Sequence, residues 1–137
     1  MLIDDHKIVR ESWKMLLESN PLFDVVSASE NHQSVVDDAL KLSPDIILID
    51  VGLSQNNGFT LTKSITKLNP SAKIIGLSIS NLVLYAYKML DLGAKGFITK
   101  TSSLEEINHG IVEVYEGKNY LCEEIKRKMS PGELNNE

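Results

Sequence analysis

The chain has 137 residues, enough for one domain with its own hydrophobic core, and a formal net charge of -5. Hydrophobic residues make up 42% and charged residues 24%, which excludes a disordered or fibrous chain. The one basic cluster, Lys126 to Lys128, adjoins Glu123 and Glu124, so nucleic-acid binding by this chain alone is not expected.

Cysteine usage and hydropathy indicate the compartment. Cys122 is the only cysteine, which excludes an internal disulfide and is typical of a reducing environment. The N-terminus lacks the apolar core of a signal peptide, and no apolar run approaches membrane-spanning length. We therefore expect a cytoplasmic protein with no membrane contact.

Short apolar runs rich in Ile and Val recur along the chain and are typical of strands buried on both faces. They predict five strands, near residues 1–4, 23–28, 45–50, 73–78 and 95–98. Segments with helical spacing lie between the runs, and Pro21, Pro44 and Pro70 each end such a segment before the next run. This alternation predicts an α/β fold, a doubly wound parallel sheet with right-handed crossovers and helices on both faces.

Residues 122–137 differ from the rest of the chain. After Tyr120 and Leu121 the sequence becomes polar and offers no apolar face long enough to pack securely. We expect this segment to be a linker or a frayed tail.

Ionisable and hydroxyl side chains stand where the predicted strands end. The first run ends in Asp4 and Asp5, the third in Asp50, the fourth in Ser78, and Lys100 follows the fifth. In an open parallel sheet the ligand site lies beyond the carboxyl ends of the strands. We therefore expect these five side chains to converge on one site.

The chemistry of such a site follows from its charges. Three carboxylates at one sheet edge repel one another unless a cation offsets them, and Mg²⁺ suits oxygen ligands shared between protein carboxylates and phosphate. Asp50 would be a nucleophile that forms an aspartyl phosphate. Lys100 and Ser78 would hold phosphoryl oxygens by charge and by hydrogen bonding.

Three blocks of the sequence resemble the response regulator receiver family, from Leu2 to about Leu121. The blocks are Ile3-Asp4-Asp5-His6 with Arg10 downstream, Pro44 to Asp50 followed by Gly58, and Leu92 to Lys100. The resemblance implies a receiver domain over residues 1–121 with the flavodoxin-like, CheY-like (βα)5 fold. Such a fold has five parallel strands in the order 2-1-3-4-5.

The resemblance also implies a role for each site residue. Asp4, Asp5 and the backbone carbonyl of Gly52 would bind Mg²⁺ together with Asp50, the phosphoacceptor. The remaining roles are Lys100 as the invariant lysine, Ser78 as the switch hydroxyl and Phe97 as the switch aromatic.

The start Asp4-Asp5-His6, the block Gly93 to Lys100 and the ending Tyr115 to Leu121 look most like receivers of the NarL/FixJ (LuxR-type) group. Members of that group usually continue into a helix-turn-helix DNA-binding domain. This implies a sensor histidine kinase as phosphodonor, and transcription as the output of a DNA-binding domain that residues 122–137 would lead to. Phosphorylation would change the face formed by the fourth helix, fifth strand and fifth helix, roughly Leu82 to Glu116. A homodimer would form through that α4-β5-α5 face or through the first and fifth helices.

Two other functions remain open. One is a phosphorylation-independent pseudo-receiver that acts as a protein-interaction module, and the other is an aspartyl-phosphate phosphatase. Two departures from the family pattern are also evident: Ser54 replaces a typical proline, and Thr101 replaces a frequent cis proline. The isomer of the Lys100–Thr101 bond is therefore left open.

Overall fold

The computed structural model describes residues 1–52 and 58–129, and its centre is a parallel sheet. The strands are β1 (Leu2–Ile3), β2 (Ala28–Ser29), β3 (Ile47–Asp50), β4 (Ile74–Ser78), β5 (Gly96–Thr99) and β6 (Tyr120–Leu121). Their order in the sheet is β2-β1-β3-β4-β5-β6. The predicted α/β class and the order 2-1-3-4-5 are confirmed, and the short β6 extends the sheet beyond β5.

Helices alternate with the strands along the chain. They are α1 (Lys7–Glu18), α2 (Val35–Leu42), α3 (Gly58–Leu68), α4 (Val83–Asp91), α5 (Leu104–Tyr115) and α6 (Glu123–Lys128). Every residue of β3, β4 and β5 is buried, as expected for central strands covered on both faces. Within residues 1–52 and 58–129, no helix combines the length and apolar character needed to cross a bilayer.

The second strand is shorter and begins later than the predicted range of 23–28. It pairs only through Ala28 and Ser29, because β1 offers only Leu2 and Ile3 as partners. The preceding residues 22–26 instead line an apolar cavity of about 580 Å³. A hydrophobic run therefore predicts an extended segment here, whereas the length of the neighbouring strand decides how much of it pairs.

The N-terminal amine lies against the same cavity. The Met1 amine donates a hydrogen bond to the Ile46 carbonyl at 2.8 Å, which ties the start of the chain to the start of β3. Burial lowers the pKa of this amine from 8.0 to about 6, against the opposing attraction of Asp45.

This lowered pKa makes folding stability depend on pH. Between pH 6 and 8 the unfolded chain binds more protons at Met1 than the folded chain, so the free energy of unfolding should rise with pH in that window. The expected gain from this group is about 2 kcal/mol. Urea unfolding at pH 6 and pH 8 measures it, and N-terminal acetylation should remove it. Identical pH profiles for the free and acetylated chains would contradict this expectation.

The segment after β6 is packed rather than frayed. Cys122 and Ile125 are fully buried and Met129 is 6% exposed, while α6 contacts α4 and β5. The prediction that residues 122–137 cannot pack securely is therefore wrong for residues 122–129. Three apolar side chains spaced by three and four residues are enough to pack this segment, because the rest of the domain provides the apolar surface that they cover. Residues 130–137 lie outside the described ranges.

The burial of Ile125 leads to a stability test. Ile125→Ala should lower the free energy of unfolding by about 2–4 kcal/mol, because truncation leaves a cavity under α6. Arg127→Ala on the exposed side of the same helix should change it by less than about 0.5 kcal/mol. Urea denaturation of both variants provides the measurement, and equal effects would show that α6 does not belong to the core.

Candidate functional site

Four strand ends bring the predicted site residues to one edge of the sheet. Asp4 follows β1, Asp50 is the last residue of β3, Ser78 is the last residue of β4, and Lys100 follows β5. The strands are parallel. Asp50 of β3 pairs with Leu77 of β4, and Ser78, the residue after Leu77, pairs with Thr99 of β5. Their carboxyl ends therefore meet at the edge where open α/β sheets bind ligands.

An ammonium group lies between two buried carboxylates at this edge. Lys100 Nζ is 3.0 Å from Asp4 Oδ2 and 3.4 Å from Asp50 Oδ1. Asp4 is 1% exposed and Asp50 is 5% exposed. One positive charge therefore faces two buried negative charges, an imbalance that favours binding of a further cation.

The loop after β3 is held close to the Asp50 carboxylate. The backbone N–H of Gly52 donates to Asp50 Oδ1 at 3.1 Å. At the start of α3, a Cβ on Gly58 would lie 2.7 Å from the Asp50 carbonyl oxygen and 2.8 Å from Val51 Cα. Only glycine allows α3 to begin this close to the end of β3. Ser54 lies outside the described residues.

The ends of β4 and β5 are linked through Ser78. Its hydroxyl is buried and accepts a hydrogen bond from the backbone N–H of Ser80 at 3.0 Å. The backbone N–H of Lys100 donates to the Ser78 carbonyl at 2.7 Å. Phe97 is fully buried, so in this conformation its ring is a core side chain. The switch roles of Ser78 and Phe97 stay predictions. The Lys100–Thr101 bond, whose isomer the sequence left open, is trans.

The side chains that converge differ in part from the predicted set. Ligand atoms of Asp4, His6 and Asp50 lie within 4.8 Å of one another, and Asp5 is not in this group. Asp5 Oδ1 instead accepts from the backbone N–H of Asn31 at 2.8 Å. Metal binding by Asp5 stays a prediction.

His6 is the site residue to which sequence reasoning assigned no chemistry. Its backbone N–H donates to Asp4 Oδ1 at 2.9 Å, and Nδ1 lies 3.4 Å from the same oxygen. The imidazole is largely exposed. The signal that could have identified it is its position directly after the acid pair, at the N-terminus of α1.

Comparison with known proteins identifies relatives in sequence and in fold. Residues 1–112 match the response regulator receiver domain model. The transcriptional regulatory protein LnrK of Bacillus subtilis is 32% identical over 129 residues, which are 94% of this chain and 59% of LnrK. For DegU of Brevibacillus brevis the identity is 29% over 94% of this chain and 55% of DegU. A LuxR-family response regulator from an Aurantimonas species superimposes with a TM-score of 0.88 at 28% identity, covering 100% of this chain and 96% of that chain.

The chain belongs to the response regulator receiver domain family, whose role is signalling rather than catalysis. It spans just over half of the length of the curated relatives DegU and LnrK. Receiver domains bind Mg²⁺ at an acidic pocket, and the acidic cluster of this chain contains Asp4, His6 and Asp50. Response regulators act with sensor kinases, and both DegU and LnrK are transcriptional regulatory proteins.

Metal affinity should depend on this acidic edge. Asp50→Ala and Asp5→Ala should each weaken Mg²⁺ binding by at least about tenfold, because each removes an expected oxygen ligand. Asp45→Ala is the matched control, since Asp45 is an exposed acid at the opposite end of β3. Calorimetric titration gives the affinities. Undiminished binding by Asp5→Ala alone would restrict the metal site to the cluster that contains His6.

Proposed function

We propose that this chain is the phosphoacceptor domain of a two-component response regulator and that Asp50 receives a phosphoryl group from a sensor histidine kinase. The observation that carries this proposal is the Asp50 carboxylate at the end of β3, with an ammonium 3.4 Å from one of its oxygens. A carboxylate in this position is a nucleophile, and the neighbouring cation offsets the charge that phosphorylation adds.

The reaction is a displacement at phosphorus. A carboxylate oxygen of Asp50 attacks the phosphorus of a phosphohistidine, and the P–N bond breaks with its electron pair returning to the imidazole, which takes up a proton. Lys100 Nζ, already between Asp4 and Asp50, stabilises the negative phosphoryl oxygens. The Ser78 oxygen accepts the Ser80 N–H bond, which leaves the Ser78 O–H able to donate to a phosphoryl oxygen.

The residues at the acidic edge fit Mg²⁺. We assign the metal to Asp4, Asp5, Asp50 and the backbone carbonyl of Gly52, because these provide oxygen ligands. When bound, Mg²⁺ would supply positive charge that stabilises the transferring phosphoryl group. The fit rests on charge, because the two buried carboxylates of Asp4 and Asp50 carry more negative charge than the single ammonium of Lys100 offsets.

Phosphorylation would then change the α4-β5-α5 face through Ser78 and Phe97 and control transcription. The expected response is a shift between existing conformations rather than new folding. The output domain would follow the segment 122–137 and make the DNA contact. One support is that the chain spans just over half of the length of DegU and LnrK. A second is the response regulator RcsB, which is 25% identical over 98% of this chain and whose structure was solved as dimers bound to DNA. A homodimer through this face or through α1 and α5 is compatible with that comparison.

The two alternative functions, pseudo-receiver and phosphatase, require different features of the site. A pseudo-receiver that only binds proteins needs no reactive carboxylate, and the contact of Lys100 with Asp4 and Asp50 favours the phosphoacceptor over it. A phosphatase of the aspartyl-phosphate type usually carries an Asp-x-Asp nucleophile after its first strand, whereas Asp50 ends the third.

Incubation with Mg²⁺ and acetyl phosphate tests the proposal. The parent chain should gain the mass of one phosphoryl group in intact-protein mass spectrometry. Asp50→Ala should abolish the gain, because it removes the nucleophile, and Asp45→Ala should retain it. No added mass on the parent would support the pseudo-receiver. Rapid phosphate release over many turnovers would support the phosphatase.

A further inference from the structure

The helix α6 covers part of the surface expected to respond to phosphorylation. It contacts α4 and β5, and its Ile125 is fully buried there. The N–H of Glu123, at its first residue, donates to Glu106 Oε2 of α5 at 2.8 Å. The helix is therefore joined to α4, β5 and α5, the three elements of the predicted output face.

A second glutamate joins α6 to the loops of the candidate site. Glu124 Oε2 accepts a hydrogen bond from Asn81 Nδ2 at 2.7 Å, and Glu124 Oε1 accepts from Thr99 Oγ1 at 2.9 Å and Thr101 Oγ1 at 3.0 Å. Asn81 lies three residues beyond Ser78. One carboxylate thus holds the end of β4 and the end of β5 at the same time.

The two threonines flank the site lysine. The chain turns directly after β5, where the backbone N–H of Ser102 donates to the Thr99 carbonyl at 3.0 Å. In this turn Lys100 faces Asp4 and Asp50, while Thr99 and Thr101 bind Glu124. A movement of the Lys100 backbone toward Asp50 would therefore shift Thr99 and Thr101 relative to Glu124.

The contacts of Glu124 favour its charged form. Hydrogen bonds from Asn81, Thr99 and Thr101, in that order of effect, lower the pKa of this carboxyl group. Bonds to a carboxylate are stronger than bonds between neutral groups, but each needs a donor within about 3.2 Å. The three contacts, at 2.7 to 3.0 Å, are therefore sensitive to small displacements of either loop.

We propose that Glu124 is a positioning residue that couples the Asp50 site to α6, holding the helix on α4 and β5 until phosphorylation releases it. The proposal rests on the phosphoacceptor function described above. Phosphorylation replaces the single negative charge of the Asp50 carboxylate with about two on the phosphoryl group, and draws Lys100 and Ser78 toward the phosphoryl oxygens. The loops that carry Thr101 and Asn81 then leave Glu124, and release of α6 exposes Ile125 and the surface of α4 and β5 beneath it.

The chain contains its own reporter for this movement. Cys122 is the only cysteine, it is fully buried, and it stands directly before α6. Its Sγ lies 3.7 Å from Thr99 Oγ1, the same hydroxyl that donates to Glu124. Release of α6 should therefore make the thiol accessible to iodoacetamide.

The first experiment measures alkylation of Cys122 without and with Mg²⁺ and beryllofluoride, a phosphoryl mimic. In the parent, the mimic should raise the alkylation rate at least about tenfold, and Asp50→Ala should remove this response. Glu124→Gln should raise the rate to a similar extent without the mimic. Glu123→Gln is the matched control, because it removes the same charge from the neighbouring exposed residue and should leave the rate unchanged.

The second experiment separates coupling from loss of structure. If the mimic weakens α6 docking, weaker docking must strengthen mimic binding by the same factor, because coupling between two sites is reciprocal. Glu124→Gln should therefore bind beryllofluoride more tightly than the parent, whereas a variant that merely unfolds would bind it less tightly. Glu123→Gln should match the parent.

The outcomes distinguish this proposal from the one on which it rests. If the parent gains a phosphoryl group and binds the mimic, yet Cys122 stays protected and Glu124→Gln binds the mimic no more tightly, the coupling is overturned and the phosphoacceptor function stands. If the parent gains no phosphoryl group and binds no mimic, both proposals fall.

Discussion

The ammonium of Lys100 lies between the carboxylates of Asp4 and Asp50, and the carboxyl edge of the sheet is organised around this contact. It joins the ends of β1, β3 and β5, three strands that are distant in the sequence. Two buried negative charges with one positive partner are costly in a low-dielectric site, so the edge favours further positive charge. The glycine at position 58, which lets α3 begin against Asp50, keeps this arrangement compact.

The same end of β5 serves a second set of contacts. Lys100 points to the acidic edge, while Thr99 and Thr101 on either side of it bond to Glu124 of α6. A chemical change at Asp50 and a change in the packing of α6 therefore act on adjacent residues, at the end of β5 and in the turn that follows it. This proximity gives a short physical connection between a charge change and the surface around α4, β5 and α5.

Sequence reasoning predicted the regular parts of the molecule well and the irregular parts less well. The short apolar runs identified β3, β4 and β5, because strands buried on both faces favour apolar residues at most of their positions. The start of β2 was predicted too early, since pairing depends on the two residues that β1 provides. The sequence predicts a tail after β6 because the helix there has only six residues and a short apolar face.

The sequence by itself determined that Asp4, Asp50, Ser78 and Lys100 share one sheet edge, because each follows or ends an apolar strand and parallel strands align their carboxyl ends. Only the tertiary structure decided which oxygens Lys100 contacts, that the Asp5 carboxylate accepts the Asn31 N–H, and that His6 joins the cluster. Only it revealed the bonds of Glu124. These contacts join loops far apart in sequence, and local residue patterns carry no information on which side chains the packed sheet brings within hydrogen-bonding distance.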